Sequence, residues 1–97
     1  QEAYELIQRA LKLNPGDPAT TDSLGWVLYQ LGNYDKAIHY LRKAMEKLPD
    51  PEVAAHLGEV LWVTGQREEA TSVWKIILEK DPENDTILQT MRRLNAE

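Results

Sequence analysis

There is no cysteine anywhere in the chain. Disulfide frameworks, thiolate metal sites and a cysteine nucleophile are therefore excluded, while cytosol and periplasm both stay open. Basic residues never gather: no run exceeds a pair such as Arg42-Lys43 or Arg92-Arg93, the formal net charge is −5 and the pI is near 5.0. Nucleic-acid binding leaves a basic stripe, and anionic membranes attract one, so neither partner is expected. No apolar run approaches the roughly 20 residues of a membrane-spanning helix, and nothing reads as a signal peptide. The chain opens Gln1-Glu2-Ala3, without a Met and already in helical periodicity, as an excised piece of a longer array would.

Catalytic signatures are equally scarce. There is no His-Glu-x-x-His, no phosphate-cradling glycine loop and no serine in a nucleophile-elbow context. Glu52, His56 and Glu59 fall on one helical face, but three such residues on a single helix, with no fourth ligand, describe a polar surface rather than a metal site. His39 lies between Asp35 and Lys43 at four-residue spacing and reads as a solvated, salt-linked face. No enzyme activity, cofactor or metal is expected.

What the chain does have is a repeat. Leu24-Gly25, Leu28, Leu31-Gly32, Ala37, Leu41 and Pro49 recur as Leu57-Gly58, Leu61, Thr64-Gly65, Ala70, Trp74 and Pro82, at a constant offset of 33. A fixed period in this range is the mark of stacked helix pairs. Such stacks bind partners on an extended concave face, and each unit needs a neighbour to cover its apolar side.

The five prolines punctuate regularly. Asn14-Pro15-Gly16-Asp17-Pro18, Leu48-Pro49-Asp50-Pro51 and Asp81-Pro82-Glu83-Asn84 each end one helix and start another. Asp17 before Pro18 and Asp50 before Pro51 read as N-caps followed by proline at the first helical position, where its missing N–H costs nothing. Gly32-Asn33 and Gly65-Gln66 read as short turns with a left-handed glycine. Helical periodicity then predicts six helices near 1–13, 18–31, 34–47, 51–64, 67–80 and 84–95. Leu24, Val27, Leu28 and Leu31 share one face, as do Ala37, Ile38, Leu41 and Ala44.

These residues resemble the tetratricopeptide repeat family, whose pattern runs W-x2-L-G-x2-Y, A-x3-F, then P. The first full unit reads Thr21-x2-Leu24-Gly25-x2-Leu28, Ala37-x3-Leu41, Pro49; the second reads Ala54-x2-Leu57-Gly58-x2-Leu61, Ala70-x3-Trp74, Pro82. The aromatic positions have drifted to Thr21, Ala54, Leu28 and Leu61, while small residues stay where paired helices must approach closely. The resemblance implies an all-α fold, a right-handed superhelix of antiparallel helix pairs. It divides the chain into the second helix of an incomplete repeat (1–15), two repeats (16–49 and 50–82) and a polar capping helix (83–97).

A narrower likeness covers Asp22 to Tyr29 and Asp50 to Trp62. It is similar to the last repeats of large bacterial tetratricopeptide proteins, some of them envelope lipoproteins that act as adaptors for periplasmic proteases. That likeness implies a Gram-negative source and the periplasmic face of the outer membrane.

In this family the first helix of each pair lines the concave groove. Two residues along a helix is a turn of roughly 200°, so Trp26 points away from the face of Leu24. The groove expected here offers Trp26, Tyr29 and Trp62 as contact area and Asp22, Gln30, His56 and Glu59 as polar contacts to a peptide or protein. Trp74, at a core position, and Tyr34, at a helix start, read as structural. Relatives that clamp a chaperone's C-terminal carboxylate use Lys, Asn and Arg in the groove. The matching positions here hold Asp22, Ser23, Trp26, Ala55, His56 and Glu59, which suits apolar anchors with a basic residue instead. A second expectation is self-association. Ala3, Ile7 and Ala10 match Ala37, Leu41 and Ala44 at an offset of 34, and the helix that would cover them is missing, so a dimer partner or crystal neighbour is expected there. Arg92-Arg93 reads as a solvated face.

Overall fold

The computed structural model describes residues 2–13 and 15–96, with the backbone alone for Glu2 and Ala3. Six helices follow one another: α1 (Glu2–Leu13), α2 (Pro18–Gln30), α3 (Tyr34–Lys47), α4 (Pro51–Val63), α5 (Arg67–Lys80) and α6 (Asp85–Arg93). No strand occurs among the described residues. The chain divides into two compact units, Gln1–Leu48 and Pro49–Glu97.

In the first unit, α2 packs against both α1 and α3. Asp17 caps α2: its carboxylate accepts from the Thr20 N–H at 3.3 Å and from the Thr20 hydroxyl. The Thr20 hydroxyl above all, and then the backbone N–H groups of Thr20 and Ala19, hold the Asp17 carboxyl below its ordinary value against desolvation, which opposes them and outweighs either backbone bond. Leu24, Leu28, Ala37, Leu41 and Ala44 form the apolar seam between α2 and α3 and are buried. Gly25 sits at the crossing, where an added Cβ would lie 2.7 Å from Leu41 Cγ and 3.2 Å from the Ala37 carbonyl oxygen.

The end of α2 is closed by a left-handed turn. Gly32 has φ 86°, its N–H donates to Tyr29 O, and the Asn33 N–H donates to Leu28 O at 2.8 Å. This satisfies carbonyls that the helix end would leave without donors. It also turns the chain before Leu31 can join the core. Leu31, expected on the face of Leu24 and Leu28, is the C-cap residue and is 47% exposed.

The second unit uses the same devices. Asp50 caps α4 through the Val53 N–H at 2.9 Å, and Gly65 (φ 89°) with Gln66 repeats the closing turn through Trp62 O and Leu61 O. Here α4 packs on α5 and on α6, and Val53, Ala54, Leu57, Val60 and Leu61 are all buried. Trp74 of α5 is the largest fully buried side chain among the described residues, 1% exposed, lying against Gly58. Its indole N–H has no hydrogen-bond acceptor.

The repeat pattern sets Leu88 and Met91 at the positions of Leu57 and Val60–Leu61 within one residue, and the last helix is rotated one step from that register. Leu88 and Met91 are half-buried, whereas Ile87 and Thr90 are the buried pair. Asn84 sets this register by accepting from the Ile87 N–H at 3.1 Å. The stripe that continues from Ile87 and Thr90 arrives three residues later at Arg93. The helix stops there rather than at 95, because Asn95 adopts φ 58° and the Ala96 N–H closes onto Met91 O at 2.7 Å.

Candidate functional site

The first unit brings its expected contact residues together as an aromatic series. Trp26 and Tyr29 are half-buried, their ring centroids 5.1 Å apart, and Gln30 beside them is exposed. The series runs on: the Tyr29 ring lies 5.6 Å from that of Tyr34 at the start of α3. Tyr34, expected to be structural, is among the exposed large side chains, so it extends the aromatic surface. Asp22, one turn before Trp26, is buried.

The second unit carries the same arrangement with different chemistry. Trp62 stands one repeat after Tyr29, and Arg67 one repeat after Tyr34. The Arg67 guanidinium lies 4.4 Å from the Trp62 ring centroid, where Tyr34 lies against Tyr29 in the first unit. Trp62 also meets the core: its ring is 5.8 Å from that of Trp74. Trp62 and His56 are half-buried.

Glu59 stands one repeat after Trp26, and its environment was not legible from its own helix. It is buried, and Arg93 Nη2 donates to its Oε1 at 2.5 Å. Arg93 is solvent-exposed, as expected from the sequence, but it also pairs with a buried carboxylate that was not expected from the sequence. The signal that could have found the pair is the period, within one residue: Glu59 and Arg93 are 34 residues apart, on helices that pack together.

The remaining candidates stand apart from these groups. His39 is exposed, its ring edge-on to Tyr40 at 5.2 Å. The side chain of Ala3 lies outside the described residues; Ile7 and Ala10 are half-buried. Charge is divided unevenly between the units. Residues 1–48 carry six basic and six acidic side chains, while residues 49–97 carry five and ten, so the whole −5 belongs to the second unit.

Antiparallel helix pairs closed by glycine turns, crossing at a glycine in each pair and repeating every 33 residues, define a helical-repeat protein. The chain belongs to the tetratricopeptide repeat family, whose model matches residues 1–58 and again residues 28–94. Such repeats are protein–protein interaction modules.

A TPR repeat-containing protein of Pseudomonas aeruginosa is 59% identical over 58 residues, covering 60% of this chain and 10% of that protein. Small glutamine-rich tetratricopeptide repeat-containing protein 2 of Mycosarcoma maydis is 28% identical, covering 88% of this chain and 24% of its own length. The chain thus spans about a tenth to a quarter of these relatives. Among solved structures, a thermophilic TPR protein of Thermus thermophilus superposes with a TM-score of 0.83 at 26% identity, over 98% of this chain and 47% of that one. The first TPR of Spaghetti, bound to the HSP90 peptide SRMEEVD, gives 0.83 at 17% identity, over 97% and 75% of the two chains.

Proposed function

We propose that this protein is a non-enzymatic scaffold that binds a peptide or protein segment through the first helices of its repeats, as part of a larger adaptor. The observation that carries the reading is the contrast among its tryptophans. Trp74 is withdrawn into the core, whereas Trp26 and Trp62 remain half-buried on α2 and α4. Large aromatics held rigidly yet partly open are the residue type most often found to dominate binding energy.

The chemistry of these faces favours apolar anchors accompanied by a basic group. The SRMEEVD peptide bound by the Spaghetti repeat carries three acidic side chains. In this chain α2 carries Asp22 beside Trp26 and Tyr29, and the second unit, to which α4 belongs, holds the whole net charge of −5; like charges in close apposition disfavour binding. Fluorescence titration with SRMEEVD is expected to give no saturation at micromolar concentration. A peptide of the same length with arginine at its three acidic positions is expected to bind more tightly. Saturable micromolar binding of SRMEEVD contradicts the charge argument.

A second reading, self-association through α1, is favoured by one observation. The face expected from the sequence is Ala3, Ile7 and Ala10, of which Ile7 and Ala10 are half-buried. Leu6 and Leu13, which are not in that set, are 61% and 88% exposed and with Ala10 form a stripe at i, i+4 and i+7. A second copy of α1 would cover it. Sedimentation that stays monomeric at high concentration, and is unchanged in Leu6→Glu and Leu13→Glu variants, removes this reading.

A further inference from the structure

We propose that Glu59 is a guanidinium-accepting subsite, occupied in the resting chain by Arg93, and that an arginine of the bound partner takes the place of Arg93. The inference deepens the binding role proposed above and names the chemistry its partner brings to the second unit.

Glu59 projects from α4, one repeat after Trp26, so it occupies a contact position of the first-helix face. Its side chain is only 8% exposed, while that of Arg93 is 59% exposed. The two partners of this ion pair are therefore unequal. The carboxylate is fixed in the unit, and its cation reaches it from the solvent side. A carboxylate so withdrawn from water needs a cation at all times, because removing one partner of a buried pair leaves an uncompensated charge. Any occupant of this position must then bring positive charge.

Arginine fits better than lysine. Arg93 donates to Glu59 Oε1 at 2.5 Å through Nη2 of a planar guanidinium. A second guanidinium can replace the first without changing the geometry, whereas an ammonium is more strongly hydrated and presents a point charge. The exchange is balanced: one arginine leaves Glu59 as another arrives, and the carboxylate is never left alone.

The holder is also lightly attached. α6 has nine residues, and its buried side chains are Ile87 and Thr90, with Arg93 at the end of the same stripe. Thr90 spends its hydroxyl on Thr86 O, within the same helix. The arginine can thus swing out from the last turn, next to the Asn95 turn, while Ile87 keeps the helix seated. The acidic balance of the second unit, which holds the entire −5, draws a basic segment toward this end of the chain.

The test is chemical rescue and needs no partner. Arg93→Ala leaves the Glu59 carboxylate without its guanidinium and is expected to lower the melting temperature. Millimolar ethylguanidinium should restore much of the loss, while ethylammonium at equal ionic strength should not. The Glu59→Gln/Arg93→Ala double variant should respond to neither. Equal rescue by both cations, no rescue, or rescue of the double variant overturns the proposal. If Arg93→Ala does not fold, Arg93→Lys keeps a cation on α6. Ethylguanidinium should then displace the lysine and shift the Glu59 carboxyl carbon resonance, and an unmoved resonance overturns the proposal. Failure here leaves Trp26 and Trp62 as contact residues untouched, whereas a partner that binds without them leaves the rescue result standing.

Discussion

Gly58 and Trp74 are packed so closely that the absence of a side chain on one is what makes room for the other. A Cβ built on Gly58 would collide with the indole Nε1 and Cε2 of Trp74 and lie 2.7 Å from Cδ1. In the first unit the corresponding partner is Leu41, a flexible aliphatic side chain. An indole is rigid and fully enclosed, so it cannot retreat. Gly58→Ala should therefore destabilise by about 2–3 kcal/mol through overpacking, despite the gain of roughly 1 kcal/mol that alanine brings to a helix interior. Urea denaturation measures it.

The same pair predicts a compensating change. Trp74 holds the position where the family pattern has phenylalanine, and its buried N–H has no acceptor. An unsatisfied buried donor costs about 1–3 kcal/mol. Trp74→Phe removes that donor and should be neutral within about 1 kcal/mol, unlike most truncations of a buried tryptophan. In the Trp74→Phe background Gly58→Ala should become mild, with a coupling energy above roughly 1 kcal/mol in a double-mutant cycle. Additive costs would show that the collision is relieved elsewhere.

Gly65 is required for a different reason. A Cβ there meets nothing within 4 Å, but the backbone has φ 89°. Gly65→Ala should cost about 1 kcal/mol through left-handed strain. Gly65→Asn should cost less, because asparagine takes this conformation more readily. The chain already uses Asn95 in the equivalent turn after α6, at φ 58°. Thermal melts of the two variants should rank asparagine above alanine.

The cap of α2 carries a pH signature. The Asp17 carboxyl is held below its ordinary 3.8 in the folded chain by the Thr20 hydroxyl and the backbone N–H groups. A lowered folded value means the charged cap stabilises above pH 3.8 and the contribution is lost as pH falls through the folded value. Thr20→Val should move the Asp17 carboxyl upward and shrink that acid-dependent contribution. Carbon-detected NMR titration of the carboxyl reads both effects.

Element boundaries, caps and turns were legible in the sequence because single residues encode them. Asp-Pro starts a helix and Gly ends one through local hydrogen bonds, so Asp50, Pro51 and Gly65 acted where their neighbours predicted. The tight crossings at Gly25 and Gly58 followed from the repeat offset. What escaped depended on rotation or on a distant partner. Leu31 is apolar and in phase with Leu28, yet the turn at Gly32 carries it out of the core. Ile87 and Thr90, rather than Leu88 and Met91, face inward, because a one-residue shift at the Asn84 cap rotates a short helix by about 100°. Tyr34 and Arg67 cover Tyr29 and Trp62 across a turn. Arg93 finds Glu59 about one period away, a distance over which local pattern carries no information.

The most direct test of the central claim is peptide binding by tryptophan variants. Peptides selected from a random library on the intact chain would be titrated calorimetrically against wild type, Trp26→Ala and Trp62→Ala, with melts run in parallel. The expected result is enrichment of peptides with apolar anchors and arginine, at least about tenfold weaker binding in both variants, as for loss of a contact worth about 1.4 kcal/mol or more, and folding retained. Selected peptides that bind both folded variants as tightly as wild type would contradict the claim that these faces of α2 and α4 hold the partner.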